Sequence, residues 1–170
     1  MPAGNCSLMR KILVSACLSG QPVRYNGTAK SVRHPALDRW RAEGRLVFVC
    51  PELSAGFSVP RSPAEIAGGC SGEAVLDGAA CIVTDGGEDV TDLFIAGARK
   101  ALALALDCNC AFAILTDGSP SCGSSYIYDG SFSGRVHPGA GVTTALLRRN
   151  GIEVFHHTAI DALQRRLSAA

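Results

Sequence analysis

Four short apolar runs recur along the chain: KILVS (Lys11 to Ser15), RLVFVC (Arg45 to Cys50), AFAILT (Ala111 to Thr116) and IEVFH (Ile152 to His156). Runs this short and this continuously apolar read as strands buried on both faces, because a strand wetted on one side alternates apolar and polar residues. The segments between them carry helix punctuation. HPALDRWRAEG has proline near its first turn and stops at Gly44; Asp89 leads VTDLFIAGARKALALALD; GVTTALLRRNG follows the third run; TAIDALQRRL closes the pattern with Thr158 and Asp161 in capping positions. Strands alternating with helices predict a three-layer, Rossmann-like α/β fold, a mostly parallel sheet with helices on both faces. Two stretches depart from the alternation. Ser62 to Glu65, SPAE, has the form of a capping box and predicts a short helix, and EAVLDGAACIVTDGG predicts a β-hairpin insertion turning at Asp77-Gly78. Residues 1–10 read as a flexible tail and residues 11–170 as a single domain, since 170 residues with 47% hydrophobic composition bury a real core.

A formal charge of +1, with no block of like charges, supplies no field for a phosphate backbone, so nucleic acid is not an expected partner. The longest greasy segment, ALALALDCNCAFAIL, is interrupted by Asp107 and Asn109 short of a membrane span, and MPAGNCSLMR lacks the apolar stretch of a signal peptide. The expectation is a cytoplasmic protein without a membrane partner. In that reducing compartment eight cysteines point to buried thiols, catalysis or metal, not to disulfides.

Three cysteines follow strands: Cys17 two residues after KILVS, Cys50 at the end of RLVFV, Cys122 in the loop after AFAILT. Ligands of open parallel sheets bind outside the carboxyl ends of the strands, so these three converge on the expected functional edge. Neighbouring Gly20, Pro51, Pro120 and Gly123 shape backbone that can approach a cofactor. Cys81 reads as core, Cys108 and Cys110 lie at the opposite edge, Cys6 is in the tail, and Cys70 is held as a possible fourth thiol. Three thiolates at one place indicate zinc or an iron–sulfur cluster. The wide spacing and the missing fourth ligand argue against structural zinc, and a three-cysteine site leaves one metal position open. Glu52 is a candidate base, and Ser119 and Ser121 are candidate proton donors. His156 and His157 reach the same edge. Arg61 is placed to orient a substrate or to form an ordinary surface ion pair.

The elements VSACLSG (14–20), CPE (50–52) with PRSPAEI (60–66), and SPSCGSSYIYDGSFSG (119–134) running into GAGVTTALLRRNGIEVF resemble the bacterial 2-thiouracil desulfidase family, over about Lys11 to Phe155. The resemblance implies a [4Fe–4S] cluster held by Cys17, Cys50 and Cys122, whose free iron takes the substrate's sulfur. It also implies acid–base roles for Glu52 and Ser119, and a small thiolated base or thioamide as substrate. Asn26 stands where an aspartate is more usual, and Ala55-Gly56 where two glycines are common. A metal-free enzyme using Cys122 as nucleophile with a histidine base, and a non-enzymatic iron–sulfur sensor or carrier, are the competing readings.

Overall fold

The computed structural model describes residues 9–169. In chain order the elements are β1 (Lys11–Ser15), a 3-10 turn (Ala16–Ser19), α1 (Pro35–Ala42), β2 (Leu46–Val49), α2 (Pro51–Ser54), β3 (Ala64–Ile66), a second 3-10 turn (Ala67–Gly69), α3 (Gly72–Leu76), β4 (Ile82–Thr84), α4 (Thr91–Asp107), β5 (Cys110–Leu115), β6 (Tyr126–Tyr128), β7 (Val136–Pro138), α5 (Val142–Arg149), β8 (Glu153–His156) and α6 (Ile160–Ser168). All four apolar runs are strands of one parallel sheet in the order β2-β1-β5-β8. The register pairs Ser15 with Val49, Val14 with Ile114, and Leu115 with His156, so the carboxyl ends finish level with one another.

Helices cover both faces, as the alternation predicts. On one face Ile12, Val14, Phe112 and Ile114 pack against Leu37 and Trp40 of α1 and Ile160 and Leu163 of α6. On the other, Leu13, Ala113 and Leu115 pack against Ala101 and Ala105 of α4 and Leu147 of α5. The helix punctuation works largely as read. His34 Nδ1 accepts from the Ala36 amide with Pro35 at the first helical position. Asp89 accepts from both the amide and the hydroxyl of Thr91 at the head of α4. A third core, Ile66, Val75, Ile82, Phe94, Ile127 and Val142, lies under the small antiparallel elements.

Four local expectations are corrected. The SPAE segment is not a helix: Ala64 to Ile66 form β3, which pairs antiparallel with β4, and the Glu65 carboxylate accepts from the distant amides of Gly130 and Phe132. The expected hairpin at Asp77-Gly78 is also absent, because its first half is α3, and β4 takes β3 as partner. At α6, the Thr158 amide bonds His156 Nδ1 and Asp161 pairs with His34, so neither caps the helix. Cys81 is exposed, not core. A second ribbon, β6-β7, forms within the Gly/Ser-rich stretch read as loop. Of the expected tail, residues 1–8, Cys6 among them, lie outside the described residues. The Arg10 carbonyl accepts from Arg45 Nε. Among the described residues no helix is long and apolar enough to cross a membrane.

Candidate active site

The order β2-β1-β5-β8 reverses direction between β1 and β5, and at such a switch point the two outgoing loops splay apart and leave a crevice. Here that crevice is a cleft of about 280 Å³, lined among others by Cys17, Cys50, Glu52, Arg61, Ser119 and Cys122. Cys17 sits in the 3-10 turn after β1 and Cys122 in the loop after β5; both are buried. Cys50 stands at the N-cap position of α2, where the neighbouring backbone of Leu53 and Glu52 offsets part of the burial penalty on its thiol. Burial raises all three thiol pKa values. Charge on Cys50 further raises Cys17, and Cys122 is raised by both. A cation bound among these sulfurs would favour their thiolate forms.

Two glycines allow the close approaches that build the cleft. A Cβ on Gly97 of α4 would stand 2.3 Å from the Pro51 carbonyl oxygen, so a bare backbone there lets α2, carrying Glu52, lie directly on α4. A Cβ on Gly141 would stand 2.3 Å from the Ser121 carbonyl oxygen; the start of α5 thus presses against the Cys122 loop. The Thr143 amide donates to that same carbonyl at 2.9 Å, and Thr144 Oγ1 donates to the Cys122 carbonyl at 3.0 Å.

The expected acid–base residues separate. Ser119 Oγ accepts from the amides of Ser121 (3.0 Å) and Cys122 (3.2 Å) and donates to Glu52 Oε1 at 3.3 Å. Glu52 Oε2 accepts from Arg61 Nε at 2.5 Å, with the two side chains only 15% and 8% exposed. Arg61 is therefore no surface ion pair; its other nitrogens donate to the Val23 and Ser58 carbonyls. Ser121 does not line the cleft. Its hydroxyl is buried against Thr143 Oγ1 at 2.8 Å, with Cys122 Sγ 3.9 Å away. Cys70 and Cys110 lie outside the lining, and burial raises the Cys110 thiol to about 11.

Sequence reasoning missed Lys30, Arg24, Thr116 and Asp117, which all line the cleft. Asp117 follows β5 and carries no motif. Its carboxylate, fully buried, accepts from the Ser124 and Ser125 amides at 2.9 Å, from Ser125 Oγ at 2.8 Å, and from His156 Nε2. His156 and His157 stack at 4.5 Å beside it, away from the cleft lining. Burial, with Lys30 and His156 adding to it, lowers His157 to about 4. Donor atoms of Asp117, His156 and His157 lie within 4.8 Å of one another, but the lone pairs of Asp117 are engaged. A single ion also cannot lie in the planes of two stacked imidazoles at once.

The family model for 2-thiouracil desulfurase matches residues 12–159. This chain belongs to the 2-thiouracil desulfurase family. The uncharacterized protein YbbK of Bacillus subtilis strain 168 is 50% identical over 153 residues, 88% of this chain and 97% of that protein. The solved structure of the [4Fe-4S]-dependent thiouracil desulfidase TudS (DUF523Vcz) superposes with a TM-score of 0.85 at 47% identity, covering 95% of this chain and 99% of that one.

The cleft's donors fit such a cluster. They are soft sulfur ligands. A single zinc ion with bonds of about 2.3 Å would draw its sulfurs within roughly 4 Å of one another, yet among the described residues the one trio of donor atoms within 4.8 Å excludes the three thiols. Thr116 Oγ1, beside the Cys17 sulfur, is buried without an oxygen or nitrogen partner, a free donor for a cluster sulfide.

Proposed function

We propose that this chain is a [4Fe–4S]-dependent desulfidase that converts a small thiolated nucleobase, 2-thiouracil in the first instance, and water into the carbonyl compound and hydrogen sulfide, with no net redox change. The observation that carries the reading is the convergence of Cys17, Cys50 and Cys122 on a cleft that also holds an ion-paired carboxylate and a hydroxyl bonded to it. We assign those three cysteines as the ligands. A cubane cluster held by these three thiolates would supply an iron open to a soft substrate sulfur and so activate the carbon bonded to it.

The remaining chemistry belongs to the chain. Arg61 fixes the Glu52 side chain in rotamer, with Oε1 turned toward Ser119. Glu52 takes the proton of the water that attacks the thiocarbonyl carbon. Two backbone amides donate to Ser119 Oγ, polarising its O–H toward Glu52, so Ser119 can pass a proton to the departing sulfur or ring nitrogen and recover it from Glu52. Ser121, tied to Thr143, positions the Cys122 loop in place of handling protons. The cleft is of small-molecule size.

A metal-free cysteine nucleophile is disfavoured: burial raises the Cys122 thiol, and among the described residues no histidine lines the cleft to act as its base. The test is anaerobic incubation of cluster-loaded protein with 2-thiouracil. Equimolar uracil and sulfide without added reductant support the reading; iron-loaded protein that releases neither contradicts it.

A further inference from the structure

The segment from Val23 to Lys30 forms the wall of the cleft on the Cys17 side. It is fixed at three points: Arg61 Nη2 donates to the Val23 carbonyl at 3.0 Å, the Arg61 amide donates to the Tyr25 carbonyl at 2.8 Å, and the Lys30 amide donates to the Cys17 carbonyl at 2.9 Å. Around the Tyr25 anchor the chain reverses through a turn in which the Gly27 amide donates to the Arg24 carbonyl at 2.8 Å and the Arg24 amide donates to the Thr28 carbonyl at 3.1 Å. This wall therefore holds two half-buried cations, Arg24 and Lys30, against the cleft.

Neither has a carboxylate. Among the described residues Arg24 donates only to Thr28 Oγ1 at 3.4 Å, and Lys30 Nζ has no ion-pair or hydrogen-bond partner. Arg61, the third cation of the cleft, is committed to Glu52. Two like charges on one wall, partly withdrawn from water and without counter-ion, are placed unfavourably until an anion lies between them. The three cysteines supply part of that charge when ionised. They do not use it all directionally, since an ammonium and a guanidinium are strong hydrogen-bond donors suited to oxygen or ring nitrogen. Tyr25 and Tyr128, both exposed, line the same cleft and supply aromatic surface suited to a flat ring.

Resting on the desulfidase reading, we propose that Lys30, with Arg24 beside it, is the specificity determinant of this site: it recognises the negative edge of a flat thioamide ring that ionises at an N–H next to the thiocarbonyl. The class preferred is then the ionisable cyclic thioamides, 2-thiouracil among them, and N-alkylated thioamides of the same size bind more weakly. Of the cleft's charged side chains, Glu52 handles protons and Lys30 holds charge.

The experiment compares 2-thiouracil with its N1,N3-dimethyl derivative on cluster-loaded wild type, Lys30→Met and Lys30→Arg. Wild type should show a KM for 2-thiouracil at least about tenfold below that of the dimethyl compound, the size of one lost charge-assisted contact. Lys30→Met should lose that preference by raising KM for 2-thiouracil alone while retaining its iron, and Lys30→Arg should restore it. Equal KM values for both compounds in wild type, an equal rise for both in Lys30→Met, or loss of iron in Lys30→Met with retention in Lys30→Arg would each overturn the proposal; the last would make Lys30 a counter-charge for the thiolates. If wild type releases sulfide from neither compound, the desulfidase reading fails instead. Calorimetric binding of 2-thiouracil to wild type and Lys30→Met then decides the charge recognition on its own: weaker binding in the variant supports it, and equal binding overturns it.

Discussion

Glu52→Gln separates chemistry from architecture. In the wild type one carboxylate oxygen takes the Arg61 Nε–H at 2.5 Å and the other takes the Ser119 hydroxyl at 3.3 Å. An amide has a single oxygen, so if Arg61 keeps it, an N–H group faces Ser119 Oγ, which already accepts two backbone amides. The proton path from Ser119 is then broken without any change in side-chain size. Loss of a general base predicts a fall in sulfide release of about 10² to 10⁴, or about 3 to 5 kcal/mol in the barrier. The structural cost is smaller. Replacing a charge-assisted hydrogen bond by a neutral one costs about 1 to 2 kcal/mol at a pair this buried, which for a chain of this length lowers Tm by several degrees. Cluster-loaded wild type and variant should be compared by iron content, thermal unfolding and initial rate of sulfide release under anaerobic conditions. Iron should be equal, Tm slightly lower and the rate lower by at least two orders of magnitude. A variant that keeps the wild-type rate refutes the base assignment, and one that loses its iron makes Glu52 a support of the Cys50 turn.

Ser119→Ala strips the acceptor from the Ser121 and Cys122 amides; denaturant unfolding should show a loss of about 1 to 3 kcal/mol, with slower sulfide release from the fraction that retains iron. Gly141→Ala sets a Cβ against the Ser121 backbone, which should cost about 1 to 3 kcal/mol and, because the Cys122 loop must yield, lower iron retention measured after gel filtration. His157, held at about 4 in the fold by burial against an ordinary value of 6.5, stays neutral where the unfolded chain is protonated. It adds no pH dependence above 6.5, and stability falls as pH drops from 6.5 toward 4, by an amount on the order of 2 kcal/mol. The difference between wild type and His157→Phe in pH-dependent unfolding should be confined to that window; a difference growing above pH 7 would contradict the burial argument.

The sheet was legible because its signal is local: four continuous apolar runs define strands buried on both faces, and strands joined through helices leave their following loops on one edge. Cys17, Cys50 and Cys122 could be gathered there without coordinates. What could not be read depends on contacts distant in sequence. Glu65 reads as the end of a capping box until Gly130 and Phe132, more than sixty residues on, present their amides to it. Ile82 to Thr84 are extended in either reading, but only the fold shows that their partner is β3. Ser119 and Ser121 are equivalent by composition; their different fates follow from the turn at Pro120, which points one hydroxyl at Glu52 and the other at Thr143. The sequence alone assigns Arg24 and Lys30 no role, and their importance comes from what does not accompany them: among the described residues, no carboxylate pairs with either.

The central claim is that Cys17, Cys50 and Cys122 together hold a four-iron cluster, and iron and acid-labile sulfide analysis of anaerobically prepared protein tests it most directly. Wild type and the Cys70→Ala, Cys81→Ala and Cys108→Ala variants should each hold about four iron and four sulfide per chain, whereas Cys17→Ala, Cys50→Ala and Cys122→Ala should each lose the intact cluster. Full iron content in any of those last three variants, or stoichiometric zinc in place of iron in the wild type, would contradict the account.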